Sequence, residues 1–158
     1  MDWGDKMFEL TIGKLKPSGA REMAFYSNMR DRRVIIIYDE VNGKGDQLYI
    51  RYGDRHNVGT DFKSVLRHEY GHHVYYQFLS PEERVLWDRL FEEYSSEGIN
   101  TFVSQYASKN PEEFFAECFS AYTSPLYGQT ISWGNKWLTQ EFPDDIVRLL
   151  EKLIGKRK

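Results

Sequence analysis

Residues 68–72 read His68, Glu69, Tyr70, Gly71 and His72. On a helix, residues four apart share one face, so the two imidazoles can close on a single metal ion with Glu69 beside them. Zinc suits such a pair, being borderline-soft, ready to take imidazole nitrogen, and able to keep one tetrahedral position for water. The chemistry this implies is metal-assisted hydrolysis with a carboxylate as general base. Two histidines hold a metal loosely, so a third protein ligand is expected downstream. A third histidine six residues past His72, with its companion glycine, is excluded: those positions are Phe78 and Tyr75. The chain offers instead Asn110, Pro111, Glu112, Glu113, Phe114, Phe115, Ala116 and Glu117, a helix start with two carboxylates four apart on one face. A glutamate ligand from this segment is the expectation, Glu113 first and Glu112 as its alternative.

Such a site needs two helices brought together, and the rest of the chain is read for what would hold them. A β-branched run at 33–38 and a second strand element at 47–52, with Asn42, Gly43, Lys44 and Gly45 between them, read as a β-hairpin. After a polar stretch at 53–59, Thr60 is placed as an N-cap with Asp61 in the first turn, opening a helix over 61–79. Ser80, Pro81, Glu82 and Glu83 restart a helix with a capping box and a proline at its first position. Val85, Leu86, Leu90 and Phe91 give that helix an apolar stripe to about residue 94. Residues 95–109 read mostly as loop, and Asn110 and Pro111 then cap and open the glutamate helix. The aromatic stretch 122–137 contains Pro125, Gly128 and Gly134 and reads as loop with one short helix. Pro143, Asp144 and Asp145 begin a last amphipathic helix through about 153, with Ile146, Val147, Leu149, Leu150 and Leu153 as its apolar set.

At 158 residues the chain fits a single domain, 1–158, able to bury a core without disulfides. A formal charge of -3 argues against nucleic acid or an anionic membrane as partner, and Lys156, Arg157 and Lys158 read as a solvated tail. Cys118 is the single cysteine, expected as a small core residue. No signal peptide is recognisable and no run is long and apolar enough to cross a bilayer, so the expectation is a soluble chain with a cytoplasmic home. His73 points about 100° away from His72 round the helix and is expected on a second face or in a cleft rather than on the metal. His56 reads as structural or solvent-facing, and Trp87, Trp133 and Trp137 as core.

The stretch 61–122 resembles the zincin metallopeptidases, in particular the glutamate-liganded gluzincin group and, within it, domains like the catalytic domain of anthrax lethal factor and related proline-specific endopeptidases. The resemblance rests on His68-Glu69-Tyr70-Gly71-His72, on Tyr106 seven residues before Glu113, and on Phe114-Phe115-Ala116-Glu117 directly after it. It implies an α+β, zincin-like fold: a small N-terminal sheet with a hairpin, an active-site helix, a glutamate helix and a helical C-terminal part. It implies one catalytic Zn2+ held by His68, His72 and Glu113, Glu69 as general base, and Tyr106 directing its hydroxyl at the oxyanion. Glu117 would be the carboxylate that orients a metal-bound imidazole, a role that ligating histidines commonly require. The implied substrate is a peptide or protein, paired along an upper-rim edge strand at 34–38 whose neighbour would be 48–52, or along 48–52 with the two strands in the reverse order. Similar domains accompany phage head proteins and polymorphic toxins, so two other readings stand beside the peptidase: a zinc-binding interaction module with idle machinery, and a latent precursor blocked by its C-terminal segment.

Overall fold

The computed structural model describes residues 7–18, 24–29, 32–38, 62–99, 102–133 and 136–155, with the side chains of Met29 and of 131–138 outside that description. Within these, the chain is α+β, with a three-stranded sheet and four α-helices. The sheet comprises β1 (Glu9–Lys14), β2 (Ala24–Met29) and β3 (Arg32–Tyr38) in the order β1-β3-β2. β1 runs parallel to β3, pairing Glu9 with Val34 and Ile12 with Ile37. β2 runs antiparallel, pairing Ala24 with Ile37 and Met29 with Arg32.

This topology corrects one sequence expectation. The run 34–38 as the edge strand is not found, because β3 is hydrogen-bonded on both sides, and the reverse order, with 48–52 as the edge, lies outside the described residues. An unbroken β-branched run is the composition of an interior strand, because both of its faces and both of its edges are covered. Its antiparallel partner among the described residues is β2, which precedes it. The segment 47–52, the turn at 42–45, the polar stretch with His56, the cap at Thr60 with Asp61, and the tail at 156–158 lie outside the described residues. β1 and β2 had no clear signal: β1 is exposed throughout and contains Gly13 at a φ of 79°, and β2 carries Ser27 and Asn28.

The first helix, α1 (Phe62–Gln77), lies against the sheet. Ile35, Ile37 and Ala24 from the strands and Val65 from α1 form one apolar cluster, with Phe8, Phe62 and Leu66 packed on it. The second helix, α2 (Pro81–Ser95), begins with the expected capping box: Ser80 Oγ accepts from Glu83 N at 3.1 Å and Glu83 Oε1 accepts from Ser80 N at 2.9 Å. The third, α3 (Pro111–Thr123), is buried on almost every face and forms the axis of the larger core. Trp87 of α2 meets Phe115 edge-on at 4.9 Å and Phe114 at 5.7 Å, so the expected core role of Trp87 holds. Cys118 is likewise fully buried on α3. Tyr70 touches both apolar clusters and joins them.

The stretch 122–137 departs from its expectation of loop with a short helix. α3 continues to Thr123, and an antiparallel hairpin follows, β4 (Thr130–Trp133) and β5 (Lys136–Thr139), with Trp133 paired to Lys136. β-branched and aromatic residues flank a Gly134-Asn135 dipeptide, which is itself a short hairpin signal. The last helix, α4 (Asp144–Ile154), buries Ile146 and Leu150. Its N-terminus is tied to α2 by Tyr94 Oη donating to Asp145 Oδ1 at 2.8 Å. Among the described residues, no helix is long and apolar enough to cross a membrane.

Candidate metal centre

The geometry of the site begins with the contact between α1 and α3. Gly71 has no side chain, and a Cβ built there would meet Ala116 Cα at 3.0 Å and Ala116 O at 3.3 Å. One turn or two away, Ser120 Oγ donates to Ser64 O at 3.0 Å, and both serines are buried. Small residues at these crossings let the two backbones approach, so that the short reach of a glutamate on α3 spans the gap to an imidazole on α1.

At that gap, His68 Nε2 lies 3.0 Å from Glu113 Oε2, and His72 Nε2 lies 3.0 Å from Glu113 Oε1. The two imidazole Nε2 atoms are 3.2 Å apart. These spacings are close to the edge of a tetrahedron whose metal–ligand distances are about 2.0 to 2.1 Å, roughly 3.3 Å. The three side chains are 12 to 14% exposed, shielded but reachable from solvent. Glu113 occupies the first turn of α3 because Asn110 caps that helix, its Oδ1 accepting from Glu113 N at 2.8 Å.

The remaining nitrogen of His68, Nδ1, is 2.9 Å from Glu117 Oε2, one turn along α3. With Nδ1–H donated to that carboxylate, Nε2 directs its lone pair inward, toward a glutamate oxygen and a second imidazole. Glu113 Oε2 is buried, and no donor geometry satisfies it despite its closeness to His68. A single proton can serve one of these contacts, whereas a cation at their common centre would serve all three. Two imidazoles and a carboxylate are the donor set that zinc accepts. The residues present therefore fit a divalent ion, and among the described residues these three form the group able to hold one.

The electrostatics follow from this crowding. Burial alone would raise Glu113, but the imidazoles of His68 and His72 outweigh it and hold the carboxyl well below the usual range. For His68, burial alone would favour the neutral ring, and Glu113 and Glu117 reverse that and raise it. Glu69, 7% exposed, is pushed up from the ordinary carboxylate value chiefly by burial, against the pull of His68 and His72. The surroundings of Glu69 thus favour holding a proton.

Tyr106 opens a short 3-10 turn, Tyr106–Ser108, and its ring stacks on His68 with centroids 5.8 Å apart and planes 29° apart. Lys109 Nζ lies 5.2 Å from the centroid of the same ring. All six residues singled out from the sequence, His68, Glu69, His72, Tyr106, Glu113 and Glu117, are therefore in one neighbourhood. His73 is elsewhere, as expected: fully buried, with Nδ1 3.0 Å from Tyr26 Oη of β2 and the Phe8 ring at 4.9 Å. No α4 side chain belongs to the donor group.

Two further residues stand at the site without a motif to announce them. Tyr76 follows His68 and His72 at the same four-residue interval, which places it on the donor face. It is 38% exposed, stacks on Tyr26 with planes 11° apart, and lies near enough to Glu112 and Glu113 that, after burial, their charges raise its hydroxyl. Ser104 is buried in the loop before Tyr106 and donates its Oγ to Glu117 Oε1 at 2.9 Å. The spacing 68, 72, 76 makes Tyr76 legible after the fact, whereas nothing periodic marks Ser104.

No family model matches the chain, and comparison with curated proteins and with solved structures finds no match.

Proposed function

We propose that this chain is a zinc-dependent endopeptidase with a zincin-like fold of the glutamate-liganded kind, acting on a peptide or protein substrate. The observation that carries the proposal is the convergence of His68 Nε2, His72 Nε2 and the Glu113 carboxylate within 3.0 to 3.2 Å, with buried Glu69 beside them. A purely structural zinc site closes its fourth position with another protein ligand and has no use for a base. The neighbouring carboxylate, beside the three donors found among the described residues, supports hydrolysis over an idle interaction module.

His68, His72 and Glu113 would hold the ion, which when bound supplies Lewis acidity and brings the pKa of a water toward about 7. Glu69 takes the proton from the attacking water and returns it to the departing amine. A carboxylate raised above its ordinary value by burial is suited to both halves of that task. Glu117 holds the His68 ring by its Nδ1–H, so that the lone pair of Nε2 faces the site. Tyr106, stacked on His68, offers its hydroxyl to the developing oxyanion, a contribution typically worth ~2.7 to 4 kcal/mol.

The test is digestion of an unbiased peptide library, read by mass spectrometry, with and without a chelator. The unaltered chain with one zinc bound should cleave, the chelator should abolish cleavage, and E69Q should bind zinc equally well but cleave nothing. If the zinc-loaded chain leaves the library intact, the peptidase reading fails and the interaction module replaces it. If the chain binds no zinc, both fail.

A further inference from the structure

We infer that Ser104 is a positioning residue that locks the orientation of His68 to the turn carrying Tyr106, an inference that rests on the metal-binding part of the proposed function. Its hydroxyl is used in both senses: Oγ donates to Glu117 Oε1 at 2.9 Å and accepts from Ala107 N at 3.2 Å. A serine hydroxyl has one proton to give, and here that proton goes to the carboxylate. Glu117 spends its other oxygen on His68 Nδ1, also at 2.9 Å. Ala107 is the middle residue of the 3-10 turn whose first residue, Tyr106, stacks on His68. The contacts therefore close a ring: Ser104 to Glu117, Glu117 to His68, His68 to Tyr106, and through the turn back to Ser104.

The physical consequence is that Glu117 is held at both oxygens. A carboxylate anchored only through the imidazole can swing about its last torsion, and the imidazole swings with it. With Oε1 fixed by Ser104, rotation would break a hydrogen bond in surroundings where Ser104 is 1% and Glu117 2% exposed, with little water to replace it. The loop itself is anchored upstream, because buried Gln140 donates Nε2 to Phe102 O at 3.3 Å and to Val103 O at 3.5 Å. One hydroxyl thus sets the ligand and the phenol that stacks on it with respect to each other.

Zinc affinity is measured by competition with a chelating dye, and ligand geometry by the visible spectrum of the cobalt(II)-substituted chain. S104A, which acts on His68 only through Glu117, should weaken zinc by up to roughly 10-fold, the low end of what loss of a direct partner of a ligating histidine costs, and should alter the cobalt spectrum. S124A removes another buried hydroxyl, one that accepts from Leu126 N just past the end of α3 and away from the α1–α3 crossing, and should change neither. Should S104A not fold, S104C, which is somewhat larger than serine but a weaker donor, is read in the same two assays. Wild-type zinc affinity and cobalt spectrum in S104A, or in S104C where that stands in, would overturn the inference. So would a failure of the unaltered chain to bind zinc. Zinc binding without peptide cleavage would instead defeat the peptidase reading alone, since neither readout depends on turnover.

Discussion

Gly71 of α1 lies against the backbone of Ala116 of α3 so closely that a Cβ at position 71 would stand 3.0 Å from Ala116 Cα. In an open helix, Gly to Ala gains roughly 1 kcal/mol of helix propensity. Here the nearest atoms are backbone, which cannot rotate aside as a side chain can. We expect G71A to be destabilised overall, by about 1 to 3 kcal/mol as for other overpacked sites, in urea unfolding. Because Ala116 lies between Glu113 and Glu117, separation of the helices should also weaken zinc. A variant as stable as the parent, with unchanged zinc affinity, would show that this contact does not set the helix spacing.

The cap of α3 is also the support of a ligand. Asn110 Oδ1 accepts from the backbone N–H of Glu113 itself. Loss of such a cap typically costs about 1 kcal/mol, and in N110A that loss falls on the turn carrying the donor carboxylate. We expect N110A to lower both stability and zinc affinity, and N110S, whose hydroxyl can cap the same N–H, to restore most of each. Calorimetric titration with zinc, alongside thermal unfolding, checks the pair. Equal zinc affinity in N110A would confine the cap to a folding role.

Cys118 sits in the middle of α3, and burial, reinforced by the charge of Glu117, pushes its thiol well above the ordinary value. Since the thiolate is the reactive form, a disulfide reagent at mildly alkaline pH should label the folded protein only as fast as the core opens. In guanidinium one thiol should react promptly. Fast stoichiometric labelling under native conditions would mean that this face of α3 is far less protected than its packing implies.

The donor set could be read from the sequence because it rests on short-range geometry. His68 and His72 are four apart on one helix, and Glu113 and Glu117 are four apart on another, so each pair shares a face whatever surrounds it. The capping box at Ser80 and Glu83, the Asn110 cap and the Pro111 start are equally local. So is the apolar spacing of Ile146 and Leu150. Strand pairing is not local in this sense. Whether the run 34–38 was an edge or an interior strand depended on β1 and β2, whose short, polar or glycine-bearing sequences carry little periodicity. The hairpin at 130–139 was obscured by Pro125, Gly128 and Gly134, which announce turns without saying what lies between them.

Types and intervals of residues alone specified which candidate donors share a helix face, since a helix carries its own ruler. What required the folded chain was the distance between the two rulers: the crossing at Gly71 and Ala116, the reach of Glu117 to the far nitrogen of His68, and the hydroxyl of Ser104 closing the circuit from a loop without a pattern. Those contacts join residues remote along the chain, and their energy depends on packing and burial, which no repeat in the sequence encodes.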